Sequence, residues 1–155
     1  MANNEYRKLP VGIQSFNAIR EEGYLYVDKT DMIWKLANQG FKYNYLSRPR
    51  RFGKSVLVDT LQAYFEGRKD LFKGLKIMEL EKDWKQYPVI RLDMSRGGAT
   101  ADEVKAYLDQ TFDVYEQLYG IHIKPTDSLG NRFDLIIKTA YKQTGLKVAI
   151  LIDEY

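Results

Sequence analysis

The sequence has no cysteine and a single histidine, His122. The first absence excludes disulfides and thiolate metal sites, and it fits a reducing cytoplasm. The second argues against a histidine-rich metal centre or a Ser-His-Asp triad. No long hydrophobic run exists either. The longest clean apolar stretch is "VAILI", residues 148–152, far short of the roughly 20 residues a membrane-spanning helix needs. The opening "MANNEYRKLP" is polar and shows no secretory leader. Charge of one sign is also lacking: 29% of residues are charged, yet the net charge is only +3. That balance is too mild to mark a nucleic-acid binder, whose charge is concentrated in a patch. A soluble cytoplasmic domain, with no membrane segment, is the expectation.

What is present is apolar and patterned. Hydrophobic residues make up 45% of the 155 positions, enough for a real core in about one ordinary domain. A short helix is expected over residues 13–22, then a brief β element at "YLYV", residues 24–27. Asp28 or Thr30 can cap the next helix, which carries Met32, Ile33 and Leu36 and ends near Gly40. "FKYNYL", residues 41–46, alternates and is aromatic, which predicts a strand. Val56, Leu57, Leu61, Tyr64 and Phe65 then recur at helical spacing up to Gly67. A mixed segment with one or two short helices around Leu71, Phe72 and Leu75 leads to the strand "PVIRLDMS", residues 88–95.

Thr100 and Glu103 form a capping box. The helix behind it is expected to bury Val104, Leu108, Thr111, Tyr115 and Leu118. Phe133, Ile136, Ile137, Ala140 and Tyr141 stripe one more helix before Gly145, and "KVAILIDEY" closes the chain. Strands alternating with long helices predict an α/β fold: a P-loop-type parallel sheet sandwiched by helices, incomplete because further C-terminal strands are missing. The unbroken apolar character of "VAILI" predicts a strand buried on both faces. Residues 1–40 read as an N-terminal helical and short-strand extension, and residues 41–155 as the first part of the sheet domain.

The chemistry concentrates in "SRPRRFGKS", residues 47–55. A phosphate-binding loop reads Gly, four free positions, then Gly-Lys-Ser or Gly-Lys-Thr. Gly53, Lys54 and Ser55 satisfy the end of that pattern, while Arg48 stands where the first glycine belongs. A strand must end, the chain must turn with amides inward, and a helix must begin, so that partial positive charge gathers on anionic oxygens. "FKYNYL" is expected to be that strand. Gly53 admits close backbone approach to phosphate, and Lys54 reaches the β- and γ-phosphates as a mobile charge. The Ser55 hydroxyl is a candidate ligand of Mg²⁺. Arg50, Arg51, Phe52 and Val56 complete the expected nucleotide-binding set.

The other half of such a site is an acid at the end of a buried strand. Asp153 is the candidate Mg²⁺ carboxylate, and Glu154 the candidate general base that orients the attacking water. With Lys54 as the second catalytic residue, these groups are expected to meet at the carboxyl edge of the sheet. Asp93 ends the other strand, where a loop-stabilising role is the simpler reading. Glycines at "SRGG", residues 95–98, read as a turn, and Tyr43, Tyr45 and Tyr64 as packing residues.

Six blocks in order now carry a resemblance: "LPVGIQSF", "YLYVDKT", "SRPRRFGKS", "YFEG", "YPVIRLDMS" and "LIDEY". Together they resemble the bacterial AAA-ATPase-like proteins, from Leu9 to the last residue. That family itself carries arginine in place of the first loop glycine, so Arg48 looks like a family trait. The resemblance implies an N-terminal P-loop ATPase domain, usually followed by a nuclease-like domain of the PD-(D/E)XK type through which nucleic acid could be engaged. It implies ATP and Mg²⁺ as ligands, and it leaves oligomerisation open. It also implies a chain cut short after the acid strand, without the sensor residue, the arginine finger or the nuclease-like domain. The leading expectation is thus an Mg²⁺-dependent ATPase domain, weak or inactive as a fragment. The alternatives are a nucleic-acid-binding or regulatory P-loop module without efficient hydrolysis, and a small-molecule kinase.

Overall fold

A computed structural model describes residues 7–40, 42–47, 49, 52–124 and 126–154. The chain forms two compact units, residues 1–85 and 86–155. The first is built from helices α1 (Phe16–Glu21), α2 (Thr30–Asn38), α3 (Lys54–Phe65) and α4 (Ile77–Leu80), with a 3₁₀ turn at Lys69–Phe72. The second contains strand β1 (Val89–Asp93), a 3₁₀ turn at Met94–Gly97, helices α5 (Ala101–Tyr119) and α6 (Leu129–Thr144), and strand β2 (Ala149–Asp153).

Helix limits follow local chemistry. Ser15 accepts from the Ala18 amide at the start of α1, and Ser128 accepts from the Asn131 amide at the start of α6. The expected capping box opens α5: Thr100 accepts from the Glu103 amide, and the Glu103 carboxylate accepts from the Thr100 amide. Each satisfies a helix-end donor that has no partner within the helix. Gly98 is needed in the turn before it. Its φ is 74°, and a Cβ there would meet Glu103 at 2.7 Å, so any side chain would displace the capping carboxylate.

In the first unit the core is aromatic. Phe16 packs on Tyr26 and Phe72, while Trp84 packs on Phe72 and Tyr64. Side chains then tie distant backbone together. Asp28 accepts the Thr30 amide and hydroxyl at one oxygen and the Lys76 amide at the other. The Thr30 oxygen in turn accepts from the Ile77 amide. Asp59 accepts the Phe16 amide, and Arg20 donates to the carbonyls of Leu71 and Lys73.

In the second unit β1 and β2 pair in parallel, with Val89 opposite Ala149 and Asp93 opposite Asp153. Ile90 and Leu92 form a buried cluster with Phe112 of α5 and Ile136 of α6. The two edges of the sheet differ. Ala149 donates to the Pro88 carbonyl, so by the alternation of a strand the Arg91 and Asp93 amides face away from β2. They donate to the hydroxyls of Tyr115 (2.8 Å) and Tyr107 (2.7 Å) on α5. The corresponding outward groups of β2, at Ile150 and Ile152, have no such cover among the described residues.

Several sequence expectations need correction. Residues 42–46 form no strand, nor do residues 24–27; Phe41 lies outside the described residues. Alternation favours a strand only when one face can be buried and a neighbour can pair. Here Tyr43 and Tyr45 are 91% and 83% exposed, and only Tyr64 packs inside. The "VAILI" strand is not buried on both faces: Ile152 is 50% exposed, while Leu151 and Asp153 are buried. Side chains of α5 and α6 close over β1, and the cluster they form takes in Val148 but neither Ile150 nor Ile152. On α5 the expected face is largely the inner one, with Leu108 and Tyr115 packed on the cluster, but its centre differs. Phe112 and Glu116 are its buried residues, and Leu118 is exposed. The α/β class stands, with a small parallel sheet of two strands.

Candidate functional site

The phosphate-loop candidate lies in the first unit. Residues 42–47 are irregular, without the strand that a phosphate loop ordinarily follows, but the helix behind the loop begins where the motif requires. Gly53 is the residue before α3, in the left-handed region at φ 71° and ψ 28°. A side chain at Gly53 would meet no atom within 4 Å, so the constraint there is backbone conformation and not space. Among the described residues no side chain caps the first turn, and the turn contains no acid. The Lys54, Ser55 and Val56 amides therefore stand at a helix N-terminus without a built-in carboxylate, the electrostatic condition for holding an anion. Lys54, Ser55 and Val56 are partly exposed, and Phe52 is exposed. Arg48, Arg50 and Arg51 lie outside the described residues.

The acid candidates lie in the second unit. Asp153 ends β2, and its side chain is 5% exposed. One carboxylate oxygen accepts the Glu154 amide at 3.0 Å. The other lies 3.7 Å from the Arg91 guanidinium. Glu154 is exposed and holds φ at 58°, a left-handed conformation uncommon for a residue other than glycine. Strain of that kind, about 1–3 kcal/mol, gathers at functional sites when the surrounding structure maintains it. Asp93 does what the simple reading expected: one of its oxygens accepts from the amide and hydroxyl of Ser95. Register nonetheless sets it directly beside Asp153.

Two charged features escaped the sequence reading. Arg91 sits in the middle of β1, and an arginine inside the apolar run "PVIRLD" was the signal that it needs a partner. Arg132 on α6 is 7% exposed and binds both Glu116 oxygens at 2.8 Å, with Asp109 and Asp113 at 2.7 Å. These carboxylates hold its pKa above even the usual arginine value, Glu116 contributing most. This cluster locks α5 to α6. No three acidic, histidine or cysteine side chains gather to hold a metal by themselves among the described residues, so a cation here needs oxygens from a ligand or water. Among those residues no helix is long and apolar enough to cross a membrane.

Comparison with known proteins adds the family. A family model described as "Predicted AAA-ATPase" matches residues 10–155. A protein of Azotobacter chroococcum mcd 1, titled "Uncharacterized protein in vnfD 5'region", is 40% identical over 153 residues. That alignment covers 96% of this chain and 29% of the relative, so the chain spans less than a third of the relative's length. No solved structure matches.

Proposed function

The chain belongs to the predicted AAA-ATPase family, and from that premise we propose that it binds ATP with Mg²⁺ and contributes residues for hydrolysis of the terminal phosphate. The observation that carries this reading is the start of α3. In a chain of this family, the Gly-Lys-Ser motif opens a helix whose first turn has, among the described residues, neither a side-chain cap nor an acidic residue of its own. Polyphosphate is the ligand that such a terminus, with a lysine and a hydroxyl in its first turn, holds best.

The residues also fit the cation. Mg²⁺ prefers hard oxygen donors, and the Ser55 hydroxyl and Asp153 carboxylate are of that kind. Asp153 is nearly buried, yet its paired guanidinium is beyond hydrogen-bond distance, so one carboxylate oxygen keeps its lone pairs open among the described residues. When bound, Mg²⁺ neutralises charge on the phosphoryl group being transferred. The remaining roles belong to the chain. Lys54 and the loop amides bind the β- and γ-phosphates, and Arg50 and Arg51 add positive charge beside them. Phe52 and Val56 flank the ligand. Glu154 accepts a proton from the attacking water. Residues 41–155 act as the nucleotide domain, and residues 1–40 extend it.

Isothermal titration of ATP·Mg²⁺ tests this on the chain, on Lys54→Ala and on Asp153→Asn. Each substitution is expected to weaken binding by about tenfold or more, the scale of one lost charge-assisted contact. Identical heats for the chain and Lys54→Ala would remove the loop from the site.

A further inference from the structure

An arginine in the middle of a five-residue core strand is out of place unless its charge has a use. The neighbours of Arg91 in β1 are Ile90 and Leu92, both buried. Register pairs Arg91 with Leu151 and Asp93 with Asp153, so side-chain alternation puts Arg91, Asp93 and Asp153 on one face of the sheet. At 3.7 Å from the Asp153 oxygen, the guanidinium is in charge contact but too distant for a hydrogen bond. It therefore balances the carboxylate without occupying the oxygen's lone pairs. The other Asp153 oxygen is held by the Glu154 amide, which fixes the carboxylate's orientation.

We propose that Arg91 is the resident counter-charge of Asp153, standing in for a divalent cation and displaced when one binds. This rests on reading Asp153 as the metal carboxylate. A nearly buried aspartate needs compensation whether or not metal is present, and Arg91 provides it from within the sheet. The guanidinium and an incoming cation carry the same sign and compete for one carboxylate. A bare cation therefore binds poorly, and the site favours a cation that arrives with polyphosphate, whose negative charge the released guanidinium can meet.

The test uses Mn²⁺ alone, with the free ion counted by electron paramagnetic resonance during titration into the full chain. Arg91→Met is expected to tighten Mn²⁺ binding by about tenfold, as removal of a like charge beside the carboxylate should. Arg91→Lys keeps the charge and is expected to stay near the parent value. Asp153→Asn placed on Arg91→Met should erase the gain. Arg91→Gln serves as a second uncharged variant should Arg91→Met fail to fold. Unchanged or weaker binding in the uncharged variants, or a gain that survives Asp153→Asn, overturns the proposal. These outcomes are separate from the nucleotide reading, which fails on the Lys54→Ala heats.

Discussion

The two units solve the same problem by different means. In the second, two long helices and a pair of strands bury a continuous apolar cluster around Ile90, Leu92, Phe112 and Ile136. In the first, helices are short, and side chains bind backbone groups far away in sequence: Asp28 to Lys76, Thr30 to Ile77, Asp59 to Phe16, Arg20 to Leu71 and Lys73. Short helices leave a large share of their amides and carbonyls without intrahelical partners. Polar anchors meet that need where the helices themselves cannot. The lesson is that a unit made of short elements is pinned by named hydrogen bonds, while one made of long elements is held by area.

Breaking the second unit should therefore require an apolar truncation. Phe112 is 3% exposed, stacks on Phe133 and lies beneath the Arg132 guanidinium. Phe112→Ala is expected to cost about 3–5 kcal/mol, read as a lower urea midpoint by far-ultraviolet circular dichroism. A loss under about 1 kcal/mol would mean the cluster is not the support of this unit.

A polar truncation should do comparable work in the first unit, at a smaller scale. Asp28→Ala leaves three donors without their acceptor and is expected to cost about 1–3 kcal/mol. Both tryptophans, Trp34 and Trp84, belong to this unit, so their emission reports its unfolding. The same carboxylate gives a pH signature. Burial raises the Asp28 pKa, but hydrogen bonds from Thr30 and Lys76 outweigh burial and hold it below the ordinary value. Its contribution is then complete above the unfolded value, about 3.9. It disappears as pH falls through the lower folded one. Asp28→Asn should flatten the emission-monitored loss of stability across that acid range, and an unchanged acid profile would remove Asp28 as its source.

The smallest effect expected is at the α5 cap. Thr100→Ala removes the oxygen that accepts the Glu103 amide and should cost about 1 kcal/mol, shifting the circular dichroism midpoint and leaving tryptophan emission less affected. An equal shift in both signals would blur the contrast between the units.

Much of this was legible because it is local. The Thr100–Glu103 box marked the start of α5, and Gly53 and Gly145 adopt the left-handed conformation next to helices, whereas the Ser15 and Ser128 caps emerged only in the structure. "FKYNYL" misled because its alternation describes a surface to be buried and carries no information about what buries it. The stripe on α5 was legible in part: Leu108 and Tyr115 pack on the cluster as expected, but the deepest positions are Phe112 and Glu116, where Phe133 and Arg132 of α6 meet them. Arg132 was invisible because its carboxylates are spread over two turns of another helix.

By itself the sequence determined the capped start of α5, the glycine stop of α6, the Gly53-Lys54-Ser55 turn into α3, and the family, since each depends on contacts a few residues apart or on the order of residues alone. Only the tertiary structure decided which edge of β1 is closed by tyrosine hydroxyls, that Phe112 and Glu116 are the deepest residues of α5, and that Arg91 stands against Asp153. Those outcomes depend on groups 14–62 positions apart, and pairing at that separation follows from the folded arrangement of strands and helices, which no local pattern encodes.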